Sequence, residues 1–114
     1  MSIDQHEPGA KMDAGKPACS LLGMFGLALT AVADHGTGGM KKYTRGGWQF
    51  VDDGENRYTS AMLRHYLQEH YEEYDKDLEA YLGHPTLHAA AVSWNALARL
   101  EFMLRRKNNV SGRS

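Results

Sequence analysis

A glycine-rich interval, residues 35–55, separates stretches of apolar residues at helical spacing, and that interruption constrains the chain more than any other feature. Gly36, Gly38, Gly39, Gly46 and Gly47, followed by Asp52-Asp53-Gly54, favour turns over regular structure. The expectation is therefore a loop of about twenty residues inside a small domain, a length that is uncommon unless the loop serves a function.

On the N-terminal side of the loop, Leu22, Phe25, Leu29 and Val32 recur at three- and four-residue spacing, widened by Leu21, Met24, Ala28 and Ala31. The pattern predicts a helix from an N-cap at Ser20 to about residue 34, buried on most sides. Its apolar run, 21–32, is too short to span a bilayer, and residues 1–18 carry no signal-peptide pattern, so no membrane role is expected. After the loop, Asn56 can cap a second helix that begins at Arg57. Tyr58, Met62, Tyr66, Leu67, Tyr71, Tyr74, Leu78 and Tyr81 carry it to about residue 81, and Gly83 breaks it. Pro85 suits the first turn of a third helix, which Leu87, Ala90, Ala91, Trp94, Leu97, Ala98 and Met103 extend to about residue 106. Arg105, Arg106 and Lys107 meet the negative end of its dipole.

No segment alternates with period two, so the predicted fold is all-α, with three main helices and a long Gly-rich loop. An extended N-terminal arm (1–18), a helical domain (19–107) and a disordered tail (108–114) complete the organisation. Three such helices leave apolar faces uncovered, which points to self-association.

The chain has 114 residues and a formal net charge of −1, which argues against bulk electrostatic binding to nucleic acid and limits any phosphate ligand to a small molecule. Cys19 is the lone cysteine, so neither an internal disulfide nor a cysteine-rich zinc site is available, and a reducing cytoplasm is expected.

Three constellations can carry chemistry. With the second helix running to residue 81, His65, Glu69, Glu72 and Glu79 fall on one face, with Asp75 at its edge. Such a face is either solvated or a cradle for Mg²⁺ or Mn²⁺, hard cations that prefer carboxylate oxygens. On the third helix His84, His88 and Asn95 share a side, as a polar patch or as part of a metal shell that lacks further ligands, while Trp94 continues the apolar stripe and reads as core. In the loop, Lys41, Lys42 and Arg45 flank Gly46-Gly47 and Trp48, and Arg57 and Arg64 lie two turns apart with His65 adjacent. Arg57 sits at the positive end of the helix dipole, where a cation is unfavourable unless an anion binds. Cations, aromatic rings and glycines together suit an anion with a flat ring attached.

The pieces Gly9-Ala10-Lys11-x-Asp13-x-Gly15-Lys16-Pro17, Gly39-x-x-Lys42-Tyr43, Gly47-Trp48, Arg57-Tyr58-x-x-Ala61-x-x-Arg64-His65 and Leu87-His88-Ala89-Ala90-x-x-x-Trp94-Asn95-Ala96-Leu97 occur in order over nearly the whole chain. In these the sequence resembles the dATP/dGTP diphosphohydrolase N-terminal-type domain, a phage-borne family related to MazG-like all-α nucleotide pyrophosphatases. The resemblance implies metal-dependent cleavage of dGTP or dATP to the monophosphate and pyrophosphate, in the host cytoplasm, by a homodimer or homotetramer. It implies divalent metal on helical carboxylates, matched here by Glu72, Glu73 and Asp75, and a histidine opening the last helix, matched by His88; with Glu69 from the same acidic face, these carboxylates are expected to hold Mg²⁺ or Mn²⁺. Lys16, Lys42, Arg57 and Arg64 would clamp phosphates, Trp48 or Tyr43 would stack on the base, and Asn95 or His88 would read a polar edge. His65 belongs to the same site, and Lys11, Asp13 and Lys16 would bring the arm over it.

Two departures from the family pattern bear on activity. Residues 76–83 form a small insertion, and Ala91 stands where many relatives have the second histidine of a His-x-x-His pair. If that histidine is essential, the chain is a non-catalytic nucleotide-binding or host-protein-binding phage module. A helical DNA-binding regulator is disfavoured by the acidic second helix, which repels phosphate.

Overall fold

A computed structural model describes residues 14–108; residues 1–13 and 109–114, and with them Lys11, Asp13 and most of the expected arm and tail, lie outside the described residues. A 3-10 helix over Cys19–Phe25 leads into α1 (Gly26–Gly39), and a short 3-10 turn over Gly47–Phe50 precedes α2 (Gly54–Gln68). Strand β1 (Tyr74–Asp75), the single turn α3 (Glu79–Leu82), strand β2 (Thr86–Leu87) and α4 (His88–Lys107) follow. The fold is mostly helical, as expected, with three main helices and a minimal antiparallel hairpin that pairs Tyr74 with Leu87 and Asp75 with Thr86.

The core lies where α2 packs along α4. Val51, Tyr58, Ala98 and Phe102 are buried together, with Tyr43 and Trp48 packed against them. Phe102 is 1% exposed and stacks on Tyr58 at 5.7 Å between ring centroids, which aligns the two helices. Gly54 opens α2 because nothing larger fits there: a Cβ would come within 2.5 Å of the Phe102 ring.

Several expectations are corrected. The first helix runs past residue 34 to Gly39. Gly36 and Gly38 sit inside it as contact points, with Gly36 against the Trp94 indole and Gly38 against Leu78 and Leu82. Small side chains, rather than turns, are what the packing demands of them. Its N-terminal half is exposed instead of buried, and the 3-10 segment has no buried residue, because α2 and α4 already satisfy each other. By length and composition alone, Cys19–Gly39, with 21 residues and an 18-residue stretch of mean hydropathy 1.3, is long and apolar enough to cross a membrane. The C-terminal part of this segment packs on α4.

The second helix starts at Gly54 and stops at Gln68, not at residue 81. Asp53, in a left-handed conformation, precedes it and its carboxylate accepts from the Asn56 side chain at 3.0 Å, so Asn56 lies within the first turn and is not the cap. Beyond Gln68 the aromatic part of the helical period is carried by Tyr71, Tyr74 and Tyr81, all exposed, so no packing surface holds that stripe as helix. The chain turns instead, and Gly83, at φ +88°, ends α3. The third helix begins at His88, with Pro85 ahead of β2, so His84 is not on it; His84 faces Asp34 at 3.2 Å.

Candidate functional site

Between α1, α2 and α4 lies a cleft of about 1010 Å³, closed on one side by the segment that links α1 to the 3-10 turn. Lys42, Arg45, Arg57 and Arg64 line it, and no aspartate or glutamate does. Arg57 and Arg64 reach it from the same edge of α2, two turns apart, as the seven-residue spacing requires. Gly46, at φ +79°, makes the tight turn that brings Arg45 and Trp48 to the same wall, with the Gly47 amide donating to Thr44 at 2.8 Å. Four cations around one cavity in a chain of net charge −1 concentrate positive potential where an anion can enter.

Aromatic rings form another wall. Trp48 meets Tyr58, Trp94 and Phe102 edge to face, with centroid distances of 6.5, 6.1 and 5.9 Å, and Arg105 lies 5.7 Å from its ring. These contacts hold the indole rigidly. Trp94, read from sequence as core, is half-buried and lines the cleft as well as touching Gly36. Tyr43 also lines it, with the Lys42 ammonium 5.3 Å from its ring. Asn95 is buried at the floor and donates to the Ala91 carbonyl at 2.7 Å.

At the cleft's edge His65, near the end of α2, meets His88, the first residue of α4, with their Nδ1 atoms 2.9 Å apart. Asp75 on β1 places Oδ2 3.8 Å from the same His65 nitrogen. The hairpin makes this possible: pairing Asp75 with Thr86 sets the carboxylate beside the start of α4, and the Asp77 amide holds its other oxygen at 3.0 Å. Potential ligand atoms of His65, Asp75 and His88 all lie within 4.8 Å of one another, a possible metal-binding triad. Burial lowers the His65 pKa, a shift that the Asp75 charge opposes and that His88 and Arg64 assist. His35 packs edge-on against His65 at 6.1 Å, its buried Nδ1 without a hydrogen-bond partner. Burial, then His65, lowers its pKa against the pull of Asp75 and Asp34.

Of the residues singled out from sequence, Lys42, Tyr43, Trp48, Arg57, Arg64, His65 and Asn95 share the cleft. His88 is buried against His65 and is not part of the cleft lining. Lys16 is exposed and does not line the cleft. Because α2 ends at Gln68, Glu69, Glu72, Glu73 and Asp75 do not share one helix face, and of the four only Asp75 joins a close group of ligand-type atoms among the described residues. Glu72 accepts from the Tyr74 amide at 3.2 Å, and Glu73 is exposed with its backbone carbonyl taken by the His88 amide at 3.0 Å. Sequence reasoning missed His35 and the meeting of His65, Asp75 and His88. Their separations match no local motif, since three different elements supply them.

The family model described as dATP/dGTP diphosphohydrolase, N-terminal, matches residues 6–111. No curated protein and no solved structure matches the chain.

Proposed function

Because the chain belongs to the dATP/dGTP diphosphohydrolase N-terminal family, we propose that its cleft binds a purine deoxynucleoside triphosphate and hydrolyses it to the monophosphate and pyrophosphate. One observation carries this reading: four cationic side chains and no carboxylate line a cavity that also holds tryptophan and tyrosine rings. A triphosphate needs the cations and a purine needs the rings. Arg57 and Arg64 can each grip phosphate oxygens through two parallel N–H donors, and Lys42 and Arg45 add charge from the facing segment. Trp94 and Tyr43 offer faces for the base, whereas Trp48, fixed edge-on among its neighbours, serves as the back wall. The second Asn95 N–H and its carbonyl remain for a polar edge of the purine.

A divalent cation, Mg²⁺ or Mn²⁺ by resemblance, would supply charge neutralisation and acidify the attacking water. Among the described residues, His65, Asp75 and His88 are the group whose donor atoms converge closely enough to hold a cation. His65 lines the cleft and belongs to that cluster, so a cation held there would lie beside the phosphates, while Arg57 and Arg64 would hold the pyrophosphate that departs. In this reading the protein acts in the host cytoplasm on phage nucleotide metabolism, and it works as a homo-oligomer joined through the exposed apolar face of the N-terminal helical segment.

The test is release of pyrophosphate, converted to phosphate by added pyrophosphatase, from dGTP, dATP, dCTP and dTTP with millimolar Mn²⁺ or Mg²⁺. Turnover of a purine nucleotide is the expected result, and no turnover with any of the four sinks the catalytic claim. A non-catalytic nucleotide-binding module is the second reading. It is favoured by Ala91, which leaves the triad one imidazole short of the family's His-x-x-His pattern. Thermal stabilisation by dGTP without turnover is its signature.

A further inference from the structure

The cluster behind the cleft has a chemistry of its own. Two imidazole nitrogens and one carboxylate oxygen converge from α2, α4 and β1, and Asp75 and His88 are only 7% and 6% exposed. Burying a carboxylate is costly unless it is paired and hydrogen-bonded; Asp75 accepts from the Asp77 amide, and its sole ion-pair partner among the described residues is His65, with no lysine or arginine in reach. His65 and His88 also aim Nδ1 at each other at 2.9 Å, which one shared proton can satisfy, but which leaves the Asp75 charge unmatched. With metal–ligand bonds of about 2.1 Å, two nitrogens so separated subtend about 90° at a common ion.

We infer that His65, Asp75 and His88 form a binding site for a first-row transition dication of the Mn²⁺, Co²⁺ or Zn²⁺ type, in preference to Mg²⁺. Imidazole suits these metals, whereas Mg²⁺ prefers an all-oxygen shell and parts with its waters reluctantly. Three protein ligands leave positions open. The carboxylates Glu69, Glu72 and Glu73 take no part. The site does not depend on the nucleotide reading, since metal can be measured on the free protein.

The experiment uses untagged full-length chain stripped with chelator, titrated calorimetrically with Zn²⁺, Mn²⁺ and Mg²⁺ and spectroscopically with Co²⁺, no nucleotide being present. One Zn²⁺ or Co²⁺ per chain is expected, bound more tightly than Mg²⁺ by about tenfold or more, with visible Co²⁺ bands of a site containing nitrogen ligands. Asp75→Asn and His88→Gln should each weaken Co²⁺ binding by about tenfold or more, as loss of a ligand does, while a triple Glu69→Gln, Glu72→Gln, Glu73→Gln variant should bind as wild type does. If a buried substitution unfolds the chain, wild type suffices: Mn²⁺ should broaden the imidazole NMR signals of His65 and His88 before any others. No transition-metal binding, equal affinity for Mg²⁺, retention of binding in folded Asp75→Asn and His88→Gln variants, or broadening centred elsewhere would each overturn the assignment. Such a failure leaves nucleotide binding in the cleft to be judged by its own assay.

Discussion

Tyr58 on α2 donates its hydroxyl to the carbonyl oxygen of Trp48, 3.0 Å away, and so ties the 3-10 turn to the helix that carries the cleft residues Arg57 and Arg64. Burial, with Tyr43 nearby, pushes the phenol pKa up from 10.0 to about 12. A group whose pKa is higher in the folded state contributes stability that is present below its unfolded value and lost as pH rises through the folded one. Unfolding free energy should therefore decline between pH 10.0 and about 12 more steeply in wild type than in Tyr58→Phe. The variant itself should be less stable at neutral pH by about 0.5–1.5 kcal/mol, the net worth of the lost hydrogen bond. Urea denaturation across that pH range measures both effects, and identical alkaline profiles would contradict the assignment.

Arg57 and Arg64 line the cleft from one edge of α2 and are exposed in the free chain, so their removal should cost little stability. Binding is another matter. A charge-assisted contact to phosphate is worth about 1.5–3 kcal/mol, so Arg64→Ala and Arg57→Ala should each weaken dGTP binding by roughly 10- to 100-fold. Lys substitutions should rescue only part of the loss, because an ammonium lacks the two-pronged geometry. Calorimetry at low and high salt checks the sign: affinity should fall with ionic strength in wild type and less so in the variants.

Much of this cleft was legible in the sequence, and the reason is local. Arg57, Arg64 and His65 lie on one continuous helix whose periodicity places them, and Lys42, Arg45 and Trp48 cluster around a glycine pair that can only be a turn. The grouping of His65, Asp75 and His88 was not legible, because Asp75 reaches His65 through a hairpin only two residues wide, and no alternation can announce so short a strand. The same blindness extended the second helix through the acidic segment. Tyrosines kept a helical period there, yet periodicity cannot say whether a surface waits to bury them. For α1 the error was the reverse: Gly36, Gly38 and Gly39 read as helix breakers, while in the fold Gly36 and Gly38 clear space for Trp94 and Leu78 inside a helix.

Those two glycines should respond differently to alanine. In a helix interior the exchange gains about 1 kcal/mol of propensity, against an overpacking cost of about 1–3 kcal/mol. At Gly36 the new methyl meets the Trp94 ring, a rigid group braced by Trp48, so the cost should prevail and shift the cleft wall. At Gly38 it meets the Cδ1 ends of Leu78 and Leu82, flexible side-chain tips that can rotate away, so Gly38→Ala should be close to neutral. Thermal denaturation compares them, and nucleotide affinity should drop only for Gly36→Ala.

The exposed apolar face of the N-terminal helical segment predicts self-association. Leu22, Met24 and Leu27 are 58%, 81% and 93% exposed, a patch that a monomer in water does not keep uncovered without cost. Light scattering should report a mass at least twice the 12.7 kDa of one chain, and Met24→Glu with Leu27→Glu should return it to a monomer. The double variant should keep the core formed by α2 and α4, because neither residue touches it, and its melting temperature should lose the concentration dependence expected of an oligomer. Flotation with lipid vesicles discriminates the remaining possibility set by the length and hydropathy of Cys19–Gly39. A monomer that floats with vesicles, and is released by the same two charges, would assign this face to a membrane instead of to a second copy of the chain.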